Sequence, residues 1–267
     1  MVKAIDIDGR KIGTGYPCFL IAEAGVNHNG DMNLARDLID AAVEAGADAV
    51  KFQTFKAEEV SSFSAPKADY QRQTTNPAES QLDMLRQLEL TPEAHLELQK
   101  YCRKRGILFL STPFDEDSAD LLDDLGVPLF KIGSGEVTNG SFLVYVARKA
   151  KPIILSTGMS YLSEIDQAVR VIRSTGCDRL VLLHCVSNYP ADPADVNLRA
   201  MQTLALAFDA IVGYSDHTPG VESALGAVAL GAAVIEKHLT IDRDLPGPDH
   251  KASMEPREIA SLVQGVR

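Results

Sequence analysis

Residues 232–238, AAVIEKH, form an apolar run of strand character that ends on His238 and passes through Leu239 and Thr240 toward LPGPDH, residues 245–250. Taken alone it is one buried strand. Its weight comes from being the eighth of its kind. The earlier runs are CFLIAEAG (18–25), DAVKFQT (48–54), GILFLST (106–112), PLFKIGSG (128–135), KPIILSTG (151–158), RLVLLHC (179–185) and AIVGYSD (210–216). Helical patterns separate them: from Asp31 as N-cap to Ala45, from Thr91 with Pro92 in its first turn to Arg105, then from Asp115, Ser141, Ser163 and Glu255. Apolar strands alternating with helices predict a parallel sheet covered on both sides, and eight of them close a (β/α)8 TIM barrel. An open doubly wound sheet is the alternative. The one long connection, residues 55–90, follows the second strand; such a segment is a lid, a binding loop or disordered, and its position puts it over the C-terminal face.

The chain of 267 residues, 45% hydrophobic, is long enough for one such domain, and no Gly/Ser linker divides it. A formal charge of −11 argues against nucleic-acid or membrane-surface partners, so an anionic substrate needs a local basic pocket. Trp is absent and aromatics are 6%, which disfavours a stacking surface for single strands. The opening MVKAIDIDGRKIG lacks a signal-peptide pattern, and no apolar run reaches the roughly 18 residues of a membrane helix. Cys18, Cys102, Cys177 and Cys185 share no CxxC spacing and read as reduced thiols of a cytoplasmic protein.

In a barrel of this kind, catalytic groups sit at the C-terminal ends of the strands. Those ends carry Glu23 and Asn27-His28-Asn29, Lys51 and Gln53, Thr112 and Phe114, Lys131, Ser134 and Glu136, Ser156 and Thr157, His184, Ser187 and Tyr189, Asp216-His217, and Glu236 and His238. Lys51 and Lys131 lie inside apolar strands, where an unpaired ammonium is costly. Three readings suit them: point charges for a phosphate or carboxylate, a Schiff-base lysine, or pairing with Glu23 or Glu136. His217 and His238 end adjacent strands, so their imidazoles can converge on one divalent cation and leave coordination positions open. PGPDH is either a rigid loop presenting Asp249 to a polyhydroxylated ligand or an ordinary Pro/Gly turn. IGSGE (132–136) and STGMS (156–160) leave strands toward helix starts, where backbone N–H groups can cradle a phosphate.

IAEAGVNHNGD, AVKFQTF, STPFD, FKIGSGE, ILSTGM, LLHC, GYSDHTPG and AVALGAAVIEKHLT with GPDH, in that order, resemble the sialic acid synthase family of phosphoenolpyruvate-dependent nonulosonic acid synthases. Within it, APKADYQRQTT, ESQLDMLRQLEL and GPDHKASMEP look most like the N,N′-diacetyllegionaminic acid synthase branch. The resemblance implies a barrel that joins phosphoenolpyruvate to an open-chain N-acetylated mannose-type sugar around a divalent metal, typically Mn²⁺, with Mg²⁺ or Co²⁺ as substitutes. It implies His217 and His238 as metal ligands, and Lys51, Lys131, Ser134, Ser156 and Ser187 on the phosphate and carboxylate of phosphoenolpyruvate. Glu23 falls to proton transfer or water orientation, and Gln53, Phe114, Glu136, Tyr189 and Asp249 to the sugar. The family pattern has Asn where Ser187 stands, with Asn188 next to it. It also implies a homodimer and a C-terminal antifreeze-like domain; the expectation here is a single barrel domain over residues 1–267, without that second domain. Other classes remain open on the residues alone: a Schiff-base aldolase or lyase using Lys51 or Lys131, a metal-dependent sugar isomerase, or a barrel that binds ligands without turnover.

Overall fold

The alternation expected from sequence is present strand by strand in the computed structural model, which describes residues 4–76 and 78–267. Eight parallel strands form one sheet: β3 (Phe19–Gly25), β4 (Ala49–Thr54), β5 (Leu108–Pro113), β6 (Phe130–Ile132), β7 (Ile153–Ser156), β8 (Leu180–Cys185), β9 (Ile211–Asp216) and β10 (Val234–His238). Their order is β5-β4-β3-β10-β9-β8-β7-β6, and β5 and β6 at its two ends are neighbours in space, which closes the barrel. A doubly wound sheet would leave those edges apart. The expected fourth strand is shorter than predicted, because Ser134–Glu136 turn into a 3₁₀ segment.

The hairpin of β1 (Ala4–Ile7) and β2 (Arg10–Gly13) was not expected. Its signal is nonetheless present: Asp8 and Gly9 take positive φ at the tight turn, flanked by alternating isoleucines. Ile5, Ile7 and Ile12 are buried against Phe19, Leu110, Ile154, Val181 and Ile211, so the hairpin plugs the N-terminal end of the barrel. Burying each isoleucine is worth roughly 1.5–3 kcal/mol.

Outside the strands lie α1 (Met32–Ala45), α5 (Pro92–Arg105), α6 (Glu116–Asp124), α7 (Gly140–Ala147), α8 (Leu162–Ser174), α9 (Ala200–Phe208), α10 (Glu222–Ala229) and α11 (Pro256–Val266). Side-chain caps start several of them: Asp31 accepts from Asn33 N, Thr91 from Ala94 N and Asp115 from Ser118 N. Their apolar faces cover the outward residues of the sheet, among them Leu20, Val50, Phe52, Phe130 and Leu182, in one continuous core.

The long connection is neither bare nor featureless. It holds α2 (Ala57–Val60), α3 (Asp69–Thr74) and α4 (Gln81–Leu88). Buried Lys67 gathers its middle, donating from Nζ to Thr75 Oγ1 at 2.9 Å, to the Asn76 carbonyl at 2.8 Å and to Glu79 Oε1 at 2.7 Å. Among the described residues, no helix is long and apolar enough to cross a membrane.

Gly213 of β9 packs tightly against the neighbouring strand and the barrel interior. A Cβ there would lie 2.4 Å from the Val234 carbonyl oxygen and 2.7 Å from Leu183 Cδ2. Backbone cannot yield as a flexible side chain does, so Gly213→Ala is expected to lower unfolding free energy by about 1–3 kcal/mol. Urea denaturation with an unchanged midpoint would show that the strands have slack.

Candidate active site at the barrel mouth

The C-terminal strand ends enclose a cavity of about 350 Å³. Glu23, Lys51, Gln53, Phe114, Lys131, Ser134, Ser156, Ser187, Tyr189, His217, His238 and Asp249 line it together. Glu136 does not: its carboxylate turns away to accept from Asn139 Nδ2 at 2.8 Å, and it is absent from the cavity wall. Ser187 faces the cavity whereas Asn188 is exposed and absent from its wall.

Strand register assembles the floor. β3 pairs with β4 so that Glu23 stands opposite Lys51, and β10 pairs with β9 so that Glu236 stands opposite Ser215. Lys51 Nζ lies 2.6 Å from Glu23 Oε2 and 3.7 Å from Glu236 Oε2, and it donates to Thr112 Oγ1 at 2.8 Å. Lys131 Nζ donates to Ser156 Oγ at 2.8 Å and to the Ile132 carbonyl at 3.2 Å, and lies 3.5 Å from Glu236 Oε1. Two ammoniums are thus compensated by two carboxylates; of the two partners offered for the lysines, Glu23 pairs with Lys51, whereas Glu236 stands in place of Glu136.

Environment separates the two carboxyls. Burial pushes Glu23 up to about 7 despite the neighbouring Lys51. Burial also opposes ionisation of Glu236, but Lys131, Lys51 and the Ser215 hydroxyl together outweigh it and hold that group below the usual carboxylate range. A pair pushed apart in this way provides one group that can take up or release a proton near neutrality and one that stays charged. For Lys51, burial favours loss of the proton, yet Glu23 and Glu236 prevail and raise its pKa; for Lys131 burial prevails and lowers it.

A hydroxyl-rich cradle lies on the other side of Lys131. Gly158 N donates to Ser134 Oγ at 2.9 Å, and Ser134 Oγ lies 3.1 Å from Cys185 Sγ. A Cβ on Gly158 would sit 2.5 Å from Ser187 Oγ and 2.7 Å from Cys185 Sγ, so only glycine leaves this cradle room. The Gly158 N–H is spent on Ser134, and Ser134, Ser156 and Ser187 line the cavity.

His217 and His238 stand side by side, ring centroids 5.6 Å apart, with Tyr189 4.2 Å from His217 and 5.7 Å from His238. Burial holds both imidazoles below the ordinary histidine pKa, His238 well below it, so both are neutral near pH 7. His217 Nδ1 bonds the Val186 carbonyl at 2.6 Å, which leaves the lone pair on Nε2, and His238 Nδ1 is buried without a partner. Two neutral imidazoles with uncommitted nitrogens are suitable donors for a divalent cation. Among the described residues no group of three or more His, Cys, Asp or Glu gathers as a metal cage, so a cation here would keep positions for water or substrate oxygens.

Asp249 is buried at the cavity edge, and burial pushes its carboxyl up to about 6. It is no exposed turn residue. Its loop is latched to the end of β3: Asn27 Nδ2 donates to the Leu239 carbonyl and Ser253 Oγ, each at 2.8 Å, and Asn29 Nδ2 to the Pro246 carbonyl at 2.8 Å. The long connection contributes Tyr70, Gln71, Met84, Leu85 and Leu88, with Tyr70 stacked on Tyr189 at 5.6 Å. Sequence reasoning missed these five, since nothing in a loop sequence says which residues fold inward. It named Glu236 but gave it no role, although a strand's two-residue period puts it on the same face as His238.

Residues 38–267 match the profile of the NeuB family. The chain is 55% identical to an N,N′-diacetyllegionaminic acid synthase of Campylobacter jejuni, over 93% of this chain and 75% of that protein. It is 38% identical to the N-acetylneuraminate-9-phosphate synthase of Homo sapiens, over 97% of this chain and 72% of that one. The crystal structure of the N-acetylneuraminic acid synthetase of Leptospira borgpetersenii, in complex with citrate, superposes with a TM-score of 0.90 at 40% identity, covering 98% of this chain and 87% of that one.

Behind the latch, His28 is fully buried with Nε2 unpartnered, and burial pulls its pKa from 6.5 to about 4. Between those values the unfolded chain binds a proton that the folded protein refuses. The stability it contributes is therefore complete above pH 6.5 and is lost on acidification toward pH 4, at up to about 1.4 kcal/mol per pH unit. Urea midpoints should fall over this range, and less steeply for His28→Gln; parallel slopes would contradict the assignment.

Proposed function

The chain belongs to the NeuB family, and from that premise and the geometry of the mouth we propose that it is a nonulosonic acid synthase. It joins phosphoenolpyruvate to an open-chain N-acetylated mannose-type sugar, giving a nine-carbon acid and phosphate by C–O cleavage. High identity to a legionaminic acid synthase supports 2,4-diacetamido-2,4,6-trideoxymannose as acceptor, with N-acetylmannosamine as the alternative. The observation that carries the reading is the convergence of two buried ammoniums and two neutral imidazoles on one cavity.

Lys51 and Lys131, with the hydroxyls of Ser134, Ser156 and Ser187, bind the phosphate and carboxylate of phosphoenolpyruvate; fixed cations in a dry site stabilise departing phosphate without reorganisation. Gln53, Phe114, Tyr189 and Asp249, joined by Tyr70, hold the sugar. Glu136, turned toward Asn139 and absent from the cavity wall, is left out of this reading. His217 and His238 hold a divalent cation, Mn²⁺ with Mg²⁺ or Co²⁺ as substitutes, which when bound supplies Lewis acidity toward the aldehyde oxygen. The C3 carbon of phosphoenolpyruvate bonds to the aldehyde carbon with the electrons of its C2–C3 double bond. Water adds at C2 and passes one proton by way of Glu23 to the aldehyde oxygen, which ends as a hydroxyl; the new C2 hydroxyl then gives its proton to the departing phosphate, which leaves with the electrons of the C–O bond as C2 becomes the keto carbon. The tight approach of Lys51 to Glu23 keeps that carboxyl aimed into the cavity.

One observation favours a covalent alternative: burial lowers the pKa of Lys131, as a Schiff-base lysine requires. Against it, Ser156 Oγ, the Ile132 carbonyl and Glu236 surround Nζ with three acceptors, enough for all three protons of an ammonium. Phosphate release from phosphoenolpyruvate should require both Mn²⁺ and one of the two sugars, stop with EDTA, and be abolished in Lys131→Met. Trapping a pyruvate adduct on the parent enzyme with borohydride would overturn the electrostatic role of the lysines.

A further inference from the structure

The outer face of the barrel is apolar nearly throughout among the described residues, yet it contains the buried ion pair of Lys237 and Asp216. Both are 1% exposed. They stand opposite each other in the β9–β10 register, and the cavity wall takes Ser215, His217, Glu236 and His238 while omitting these two. Each charged residue is therefore the sequence neighbour of an imidazole and faces away from the cavity, against the N-terminal approach to α10.

The ammonium of Lys237 has three donors and uses all of them: on Asp216 Oδ2 at 2.7 Å, on the Thr218 carbonyl at 2.5 Å and on the Gly220 carbonyl at 3.1 Å. Asp216 Oδ1 accepts in turn from Thr218 N at 2.8 Å and Thr218 Oγ1 at 2.7 Å. His217 is thus held from both sides in the chain, through Asp216 before it and Thr218 after it, by a side chain rooted next to His238. The bond from His217 Nδ1 to the Val186 carbonyl fixes the ring on the other side.

A buried ion pair is weak as a source of net stability, because desolvation offsets its Coulombic attraction and well-packed apolar residues do as well. It is strong as a constraint on geometry. We infer that Lys237, with Asp216, is the positioning clamp of the two imidazoles: it sets the separation and orientation of His217 and His238 that a divalent cation needs. This rests on the reading of those histidines as cation ligands. Metal sites tolerate ligand displacements of only about 0.2 Å, and loss of outer partners commonly weakens metal binding 10- to 100-fold.

Stability and positioning separate in a pair of variants. Lys237→Met strands a buried carboxylate, so its melting temperature falls, whereas the double variant Asp216→Asn with Lys237→Met removes both charges and recovers much of that loss. Mn²⁺ binding, titrated by electron paramagnetic resonance on the chain without substrates, should be weaker by tenfold or more in both variants. A double variant that binds Mn²⁺ like the parent overturns the clamp, since affinity would then follow stability alone. A parent that binds no divalent cation overturns the ligand reading instead, and the clamp is then judged on metal-free protein by ¹⁵N resonances of the histidine rings. Displaced His217 and His238 signals in the double variant support it; unmoved signals overturn it.

Discussion

Two ammoniums and two carboxylates lie buried on the floor of the barrel mouth, and the pairing of Lys51 and Lys131 with Glu23 and Glu236 is the constraint around which the site is built. A single charge at that depth would cost several kcal/mol to desolvate, and removing one partner of a buried pair leaves its mate at comparable cost. Register answers this. Parallel strands bring Glu23 beside Lys51 and Glu236 beside Ser215 with no freedom to separate. The lysines are consequently charged, oriented and near-neutral as a group before any ligand arrives. An anionic ligand would compete with Glu236 for cations already in place, within a chain of formal charge −11.

Everything above the floor is held by bonds between segments distant in sequence. Asn27 and Asn29 reach residues near 240–253 to fix the loop bearing Asp249. Thr240 and His250 are joined at 2.7 Å within that loop, and Gly247 N donates to the Thr74 carbonyl at 3.2 Å, tying it to the long connection. Lys67 organises the connection itself, so that Tyr70 stacks on Tyr189 and Tyr189 in turn covers His217. Burial beneath such cross-links strengthens the electrostatic interactions of the charged groups on the floor. The apolar wall of Met84, Leu88 and Phe114 completes the enclosure.

The eighth strand shows how much one short segment can do. In Glu236-Lys237-His238 the pleat sends the first and third side chains into the mouth and the second into the outer layer. Inside, the strand supplies a carboxylate to both lysines and an imidazole beside His217. Outside, it supplies the ammonium that binds the loop carrying His217. An ordinary core strand would place an aliphatic residue at the middle position, as Leu182 of β8 does.

The sequence by itself determined the barrel, because eight apolar runs at helix-length spacing admit few other closed arrangements, and caps such as Asp31, Thr91 and Asp115 mark where helices start. It also determined most of the mouth, since strand ends on one face must converge wherever the barrel closes. The hairpin at residues 4–13 was legible in its Asp-Gly turn, yet its role as a plug required knowing that the barrel end was open. Only the tertiary structure decided that Glu236 and not Glu136 compensates the lysines, that Ser187 and not Asn188 faces the cavity, and that Tyr70 comes down onto Tyr189. The reason is physical: periodicity fixes which face of a strand a residue occupies, whereas the partner of a buried charge and the path of a long loop depend on contacts between residues far apart in the chain.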